Sequence, residues 1–523
     1  AACGGGGETD RPGGPDPDAG DEAVRGGSYS LHICEPSDLV PQRVSETCGS
    51  QVLRALFSPL VDYDPDSGEP YNLMAESIES EDAQTWTITL REGWTFHNGE
   101  PVDAESFVNA WNFGANANNA ADNAYFFENI VGYEDVSGED AGEDDTMSGL
   151  RVVDDQTFEV ELSDPFSQFP LTVGYNAFYP LPDAFFEGKE RQFRNAPIGN
   201  GPYQIQGEWE HDQRITVERY EDFAGTPGNA DEIEFRVYSD PNTAYTDVQA
   251  GELDILDQVP SEVLAGAEQE FGDAFIRRES SYFGFLGFPT YQEPFDNPDV
   301  RKAFSMAIDR GAITEAIFQG TYTPAASIIN PVVTGYREDA CGEACEFNPD
   351  RARELLEEAG GFDGKLELWF NSDGGHEEWM DALSNQLRQN LGIEDIEFQA
   401  LEFAEYLEKL DNEEITGPFR LAWVMDYPSP QNYLQPIFSC TGSTNFFGYC
   451  NEEADNLILE GNRAESIDDG IEDYHNAEDL ILQDLPAAPM WFGVVSGVHS
   501  DNVSNVIIDV FSQVRPAEVE VNQ

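Results

Sequence analysis

An arginine, a tryptophan and an aspartate recur at three-residue intervals in the second half of the chain, at Arg420, Trp423 and Asp426. The run from Arg420 to Met425 is β-type and delivers an acid, Asp426, into a turn broken by Pro428 and Pro430. A guanidinium and a carboxylate six residues apart near the end of one strand can offer opposite charges to one small zwitterion. Trp423 and Tyr427 supply flanking aromatic surface. Each residue also has a structural alternative. Asx side chains favour turns, so Asp426 can be a capping acid. Arg420 can form an internal salt bridge in so acidic a chain. Trp491, in Pro489-Met490-Trp491-Phe492, can be core or can face a cleft.

Other chemistries lack their residues. The sequence has no G-x-S-x-G and no H-E-x-x-H, and His376-Glu377-Glu378 has no second histidine. Six histidines show no ligand spacing near any cysteine pair. The expectation is no catalytic group, no metal and no cofactor. Gly199-Asn200-Gly201 has the form of a phosphate loop, but Pro202 and the β-type residues after it forbid the helix start that a phosphate needs.

The chain carries 102 acids against 26 bases, a net charge of −76, spread along its length. Such a surface repels nucleic-acid phosphates and repels itself at low salt. At 1 M salt the Debye length falls to about 3 Å and the penalty fades, so adaptation to a saline exterior is the preferred reading. No apolar run approaches the ~18 to 20 residues of a membrane span.

The seven cysteines leave one over. Cys34 with Cys48, Cys341 with Cys345, and Cys440 with Cys450 are local pairs that suit disulfides in an oxidising compartment. Free buried thiols are the alternative. Ala1-Ala2-Cys3-Gly4 has the form of a bacterial lipoprotein cleavage site, with Cys3 as the lipidated residue. Residues 4–27 are rich in Gly, Pro, Asp and Glu and read as a flexible tether.

The positioning elements follow from local pattern. Ser28 to Cys34 and Trp86 to Leu90 alternate as strands, as do Thr157 to Leu162, Tyr203 to Ile205 and Ile215 to Glu218. Asn98-Gly99 marks a turn. Asp103 caps a helix from Ala104 to Phe113, and Asn297-Pro298 opens another, interrupted at Gly311 and stopped at Gly320. A short strand is expected at Glu252 to Ile255. Helices at 349–359 and 376–391 alternate with strands at 365–370 and 395–400, the rhythm of an α/β lobe.

These landmarks occur in a known order. Leu73 to Ser77, Phe96-His97-Asn98-Gly99-Glu100-Pro101, Gly199 to Tyr203, Gly251 to Asp254, Asn297 to Ala303 and Asp426-Tyr427-Pro428 with Asn432 together resemble the extracytoplasmic solute-binding proteins of dipeptide and oligopeptide ABC transporters, solute-binding protein family 5. The resemblance covers about residues 28 to 523. It implies an α/β, two-lobed, hinge-closing periplasmic-binding-protein-like fold of type II, with an extra β-rich subdomain inserted in the first lobe. The expected division is a tether at 1–27, lobe I at 28–62, 185–285 and 493–523, an insertion at 63–184, and lobe II at 286–492.

The resemblance also implies roles. Asp426 would accept the α-amino group of a peptide, Arg420 its C-terminal carboxylate, and Trp423 would line the site. Cys440 and Cys450 lie where dipeptide-binding members carry a disulfide. One segment departs from the pattern: Gly287-Phe288-Pro289-Thr290-Tyr291 stands where many relatives are Asn-rich. The expected partners are a short peptide or similar zwitterion, ABC permease subunits, and the membrane through a lipid anchor. The protein is expected to be a monomer on the extracytoplasmic face of the cell membrane. Alternatives within the fold are a nickel complex, an oligosaccharide or an opine as cargo, or a sensor or chaperone role.

Overall fold

The structure is a computed structural model that describes residues 25–522 except 66, 139, 261–262, 373–375 and 402. Cys3 and most of the tether therefore lie outside the described residues. The dominant element is a sheet of eleven strands among those residues. Its order across the molecule is Ile396–Leu401, Leu366–Asn371, Phe419–Trp423, Phe275–Gly287, Ala487–His499, Ile255–Leu256, Ser28–Ile33, Glu232–Val237, Arg214–Arg219 and Tyr203–Ile205. Tyr322–Pro324 adds to the edge of Ala487–His499.

Two long strands hold this sheet together. Phe275–Gly287 and Ala487–His499 run antiparallel through its middle, 13 residues each. One end of the pair, Phe275 opposite Val498, lies beside Ile255–Leu256. The other end, Phe283–Gly287, pairs with Phe419–Trp423. Their ladder is interrupted between Glu279 and Phe283. There the Ser281 N–H turns to the Val510 carbonyl, and the Ser281 carbonyl accepts the buried Tyr433 hydroxyl at 2.6 Å.

The cores divide on either side of that interruption. One cluster gathers Leu31, Leu53, Ile88, Trp111, Phe158, Tyr203 and Phe235. Two others gather Phe285, Tyr406, Tyr433 and Tyr474, and Phe304, Leu368, Trp379 and Trp491. A four-stranded antiparallel sheet, ordered Ala75–Glu79, Thr85–Leu90, Thr157–Glu161, Leu150–Asp154, joins the first core. The helix Ala104–Ala115 covers it, with Phe107 stacked on Phe158 at 5.7 Å. Asp103 caps this helix through the Ser106 N–H, and Ser106 returns a bond to the Asp103 N–H.

The glycine corner is built on close approach. A Cβ on Gly199 would meet the Leu56 carbonyl oxygen at 1.8 Å, and one on Gly201 would meet Phe57 N at 2.5 Å. His97 fastens the corner: Nδ1 accepts the Gly199 N–H at 3.1 Å and Nε2 faces the Gly201 carbonyl at 3.1 Å. Burial holds its pKa down at about 4, so it serves as a neutral bracket.

Several elements differ from expectation in extent. The strand near Glu252 is confined to Ile255–Leu256, because the Glu252 and Leu253 N–H groups still bond the Asp247 carbonyl and tie off the preceding helix. The helix after Asn297 breaks earlier than Gly311. Pro298–Met306 ends, and Asp309 caps a second helix, Arg310–Ala316. The buried Arg310 guanidinium sits at that break and donates to the carbonyls of Pro489 and Ser305.

The sulfurs of all three cysteine pairs lie within bonding distance. The Cα separations are 5.5 Å for Cys34 and Cys48, 5.6 Å for Cys341 and Cys345, and 4.4 Å for Cys440 and Cys450. These fall in the range that a disulfide spans. No helix among the described residues is long and apolar enough to cross a membrane.

Candidate functional site

The strand Phe419–Trp423 carries Arg420 beside the central pair, opposite Leu286. Its register is held by the buried Tyr406 hydroxyl, which donates to the Arg420 carbonyl at 2.7 Å. The Arg420 guanidinium donates to Asn371 Oδ1 at 3.1 Å and to the Tyr282 hydroxyl at 3.3 Å. Both partners are neutral. Among the described residues no carboxylate lies within ion-pair distance of Arg420. Two other arginines of the same half are consumed differently: Arg301 and Arg310 are buried and donate to backbone carbonyls. Arg420 instead faces a chamber of about 540 Å³, which Trp491, Tyr282 and Tyr322 also line.

The chain leaves the sheet after Trp423 and turns into the helix Pro430–Phe438. Ser429 caps that helix by accepting the Gln431 N–H, and Pro430 takes the first position. The turn places Asn432 under Asp426. Asn432 Oδ1 accepts the Asp426 N–H at 2.9 Å and the Trp423 indole N–H at 3.1 Å, while its Nδ2 donates to Asp426 Oδ2 at 3.0 Å. Tyr427 points back into the helix, its hydroxyl donating to Gln431 Oε1 at 2.6 Å.

Asp426 therefore has an amide partner and no cation. Among the described residues no Lys, Arg or His pairs with it. Burial pushes its carboxyl up to about 7, and the Asn432 hydrogen bond opposes the rise. The Tyr125, Tyr175 and Tyr427 hydroxyls are pushed up by burial and further by the Asp426 charge. Arg54 borders one cavity at Asp426, but Asp509 holds it and Asp62 stands 3.9 Å away.

Asp426 and Arg420 open into different spaces. Asp426 borders a cavity of about 70 Å³ with Tyr125, Glu128 and Tyr427, and another of about 130 Å³ with Tyr175, Tyr179 and Met425. Arg420 and Trp491 share the large chamber. Trp423 lines none of the three; its indole N–H is spent on Asn432. The sequence pattern thus meets at one turn, but its two charges do not share one small pocket.

Some residues that surround Arg420 come from distant parts of the chain. Asn371 and Tyr282 come from strands 49 and 138 residues before Arg420. Trp379 arrives on the helix Glu377–Leu391 and His376 at its N-cap, with the Trp379 indole donating to His376 Nδ1 at 3.2 Å. The segment Gly287 to Tyr291 turns its backbone inward: the Phe288 N–H bonds the Pro486 carbonyl and the Thr290 N–H bonds the Phe447 carbonyl.

Comparison with known proteins places this geometry in a family. Residues 69–445 match the bacterial extracellular solute-binding proteins, family 5. The chain is 28% identical over 502 residues to the oligopeptide-binding protein OppA of Bacillus subtilis, covering 92% of this chain and 91% of the relative. It is 27% identical over 505 residues to the dipeptide-binding protein DppE of the same organism, covering 93% and 91%. Among solved structures, the Escherichia coli murein tripeptide binding protein MppA superposes with a TM-score of 0.82 at 22% identity, over 96% of this chain and 99% of that one. Haemophilus influenzae OppA, solved in complex with the peptide RPPGFSPFR, gives 0.80 at 22%, over 96% and 100%. The chain belongs to family 5 of the bacterial extracellular solute-binding proteins and has their two-lobed α/β fold.

Proposed function

We propose that this solute-binding protein captures a short peptide between its two lobes and delivers it to the permease of an ABC importer. The observation that carries the proposal is a pair of unanswered charges. In a chain of 102 acids and 26 bases, Asp426 has no cation and Arg420 has no carboxylate among the described residues. Both residues are partly exposed, closure of the lobes would bury them, and burying either charge unpaired is costly; a zwitterion supplies both missing partners. Asp426 takes the α-ammonium and Arg420 the α-carboxylate. Trp491 forms part of the chamber wall, and Trp423 and Tyr427 act through the Asn432 turn and the Asp426 cavity.

The separate cavities favour a peptide over a single amino acid. At ~3.3 Å per residue, six residues of extended chain span at most about 20 Å, a gap that a peptide of up to about six residues bridges. The names of the relatives, oligopeptide-, dipeptide- and murein-tripeptide-binding, agree with this cargo. The lobes close on it as a hinge at the interrupted ladder between Glu279 and Phe283. The inserted span 63–184 contributes Tyr125 and Tyr175 to the surroundings of Asp426. Lipidation of Cys3 and the 4–27 tether would hold the monomer at the extracytoplasmic face of the cell membrane, within reach of the permease.

Mass spectrometry of what co-purifies with the protein, followed by calorimetry with the identified peptide, tests the proposal. A bound peptide that compacts the protein in small-angle scattering supports it. A non-peptide cargo, or an unchanged radius at saturation, refutes it.

A further inference from the structure

The large chamber has a composition that the chain as a whole does not predict. Nearly one residue in five is acidic, yet no Asp or Glu is among the described residues that line it. Its charged and titratable nitrogen groups are Arg420, His32 and His376. Asp257 is outside the lining and is bound to His32 Nδ1 at 2.7 Å.

One wall is a continuous set of rings. The Trp491 ring contacts Phe318 at 4.9 Å and Trp379 at 4.9 Å, the latter edge to face at 89°. Phe318 meets Tyr322 at 4.4 Å, and Tyr322 meets Tyr282 at 5.5 Å. Trp491 and Trp379 are buried, while Phe318, Tyr322 and Tyr282 are partly exposed. The Trp379 indole N–H is already donated to His376, which leaves the ring an apolar surface. Gly284 lets the Trp491 indole pack directly on the strand, since a Cβ there would meet the Trp491 Nε1 at 2.5 Å. The Tyr282 hydroxyl bonds Arg420, so the ring wall and the cation are one unit.

We infer that this chamber is a specificity pocket for the C-terminal residue of the peptide, and that it selects a large aromatic side chain there. The inference rests on the peptide reading above and deepens it. A carboxylate on Arg420 puts the last residue of the ligand inside the chamber and its side chain against the rings. A volume of about 540 Å³ admits a phenyl or phenol group together with the backbone that carries it. Edge-to-face contact with a preformed ring wall adds to the burial of the incoming ring. An aliphatic side chain gains the burial alone, and a small one leaves the chamber unfilled.

Calorimetry with the intact protein and a peptide series tests this. Ala-Ala-Phe and Ala-Ala-Ala-Phe should bind roughly tenfold or more tightly than the same peptides ending in Ala. Phe-Ala-Ala, with the ring at the other end, should lose most of that gain. Tyr322→Ala and Phe318→Ala should each bring the Phe-to-Ala affinity ratio toward one. The inference is overturned if peptides ending in Phe and Ala bind equally, if Phe-Ala-Ala gains as much as Ala-Ala-Phe, or if Ala-Ala-Glu binds more tightly than Ala-Ala-Phe. Those results leave the peptide reading standing. If no peptide in the series binds, the peptide reading and this inference fall together.

Discussion

Asn432 grips Asp426 twice, taking its backbone N–H on Oδ1 at 2.9 Å and giving Nδ2 to its carboxylate at 3.0 Å. The same oxygen accepts the Trp423 indole N–H. One buried amide therefore sets the direction of the acid and anchors the aromatic three residues before it. Asn432 is itself held because Ser429 and Pro430 fix the start of its helix. The acid is aimed but not neutralised.

Asn432→Ala should remove that aim. The Asp426 carboxyl would lose the partner that opposes its raised pKa, and the Trp423 indole would be left unpaired. Affinity for free-amino peptides should fall by about 1 to 3 kcal/mol. The role is one of positioning, so N-acetylated peptides should lose far less. Calorimetry on both forms reads the split, and equal losses would assign Asn432 to folding alone.

Acid should weaken peptide binding. Burial lifts the Asp426 carboxyl to about 7, above its unfolded value, so the protonated form is the one that folding favours. That contribution to stability is complete below the unfolded pKa and is lost as pH rises through 7. A bound ammonium reverses the preference and demands the carboxylate. Binding should therefore release a proton below pH 7, and affinity should fall about tenfold per unit well below that point. Titrations in buffers of different ionisation enthalpy count the proton. Asp426→Asn should abolish the release, and its persistence in that variant would assign it to another group.

Stability should rise with salt. Screening relieves more repulsion in the compact −76 state than in the expanded chain. The melting temperature should climb between low and molar NaCl. A flat or falling profile would contradict the saline reading.

Cys34–Cys48, Cys341–Cys345 and Cys440–Cys450 should be oxidised. Thiol counting on the denatured, unreduced protein should find at most one reactive group, from Cys3. Two or more would break at least one pair.

The Arg420, Trp423, Asp426 spacing was legible because one strand and one turn carry it. So were the caps at Asp103 and Asn297, where the sequence states both donor and acceptor. The two central strands carry little local signal. Residues 487–499 are buried on both faces, so alternation is missing, and the ladder with 275–287 carries register shifts. That Arg420 and Asp426 face separate spaces was not legible either. It follows from where the strand stops, at Trp423, and from Tyr282 and Asn371, which tertiary pairing alone brings to Arg420.

The most direct test of the account exchanges the ligand's charges along with the protein's. Free, N-acetylated and C-amidated forms of one bound peptide should be titrated into wild type, Asp426→Asn and Arg420→Met. Losing one partner of a desolvated, hydrogen-bonded charge pair typically costs ~2 to 5 kcal/mol. Asp426→Asn should show that loss with the free peptide and little of it with the N-acetylated form. Arg420→Met should show it with the free C-terminus and little of it with the amide. If each substitution weakens free and blocked peptides equally, Asp426 is a turn residue, Arg420 is scaffold, and the account of the site is wrong.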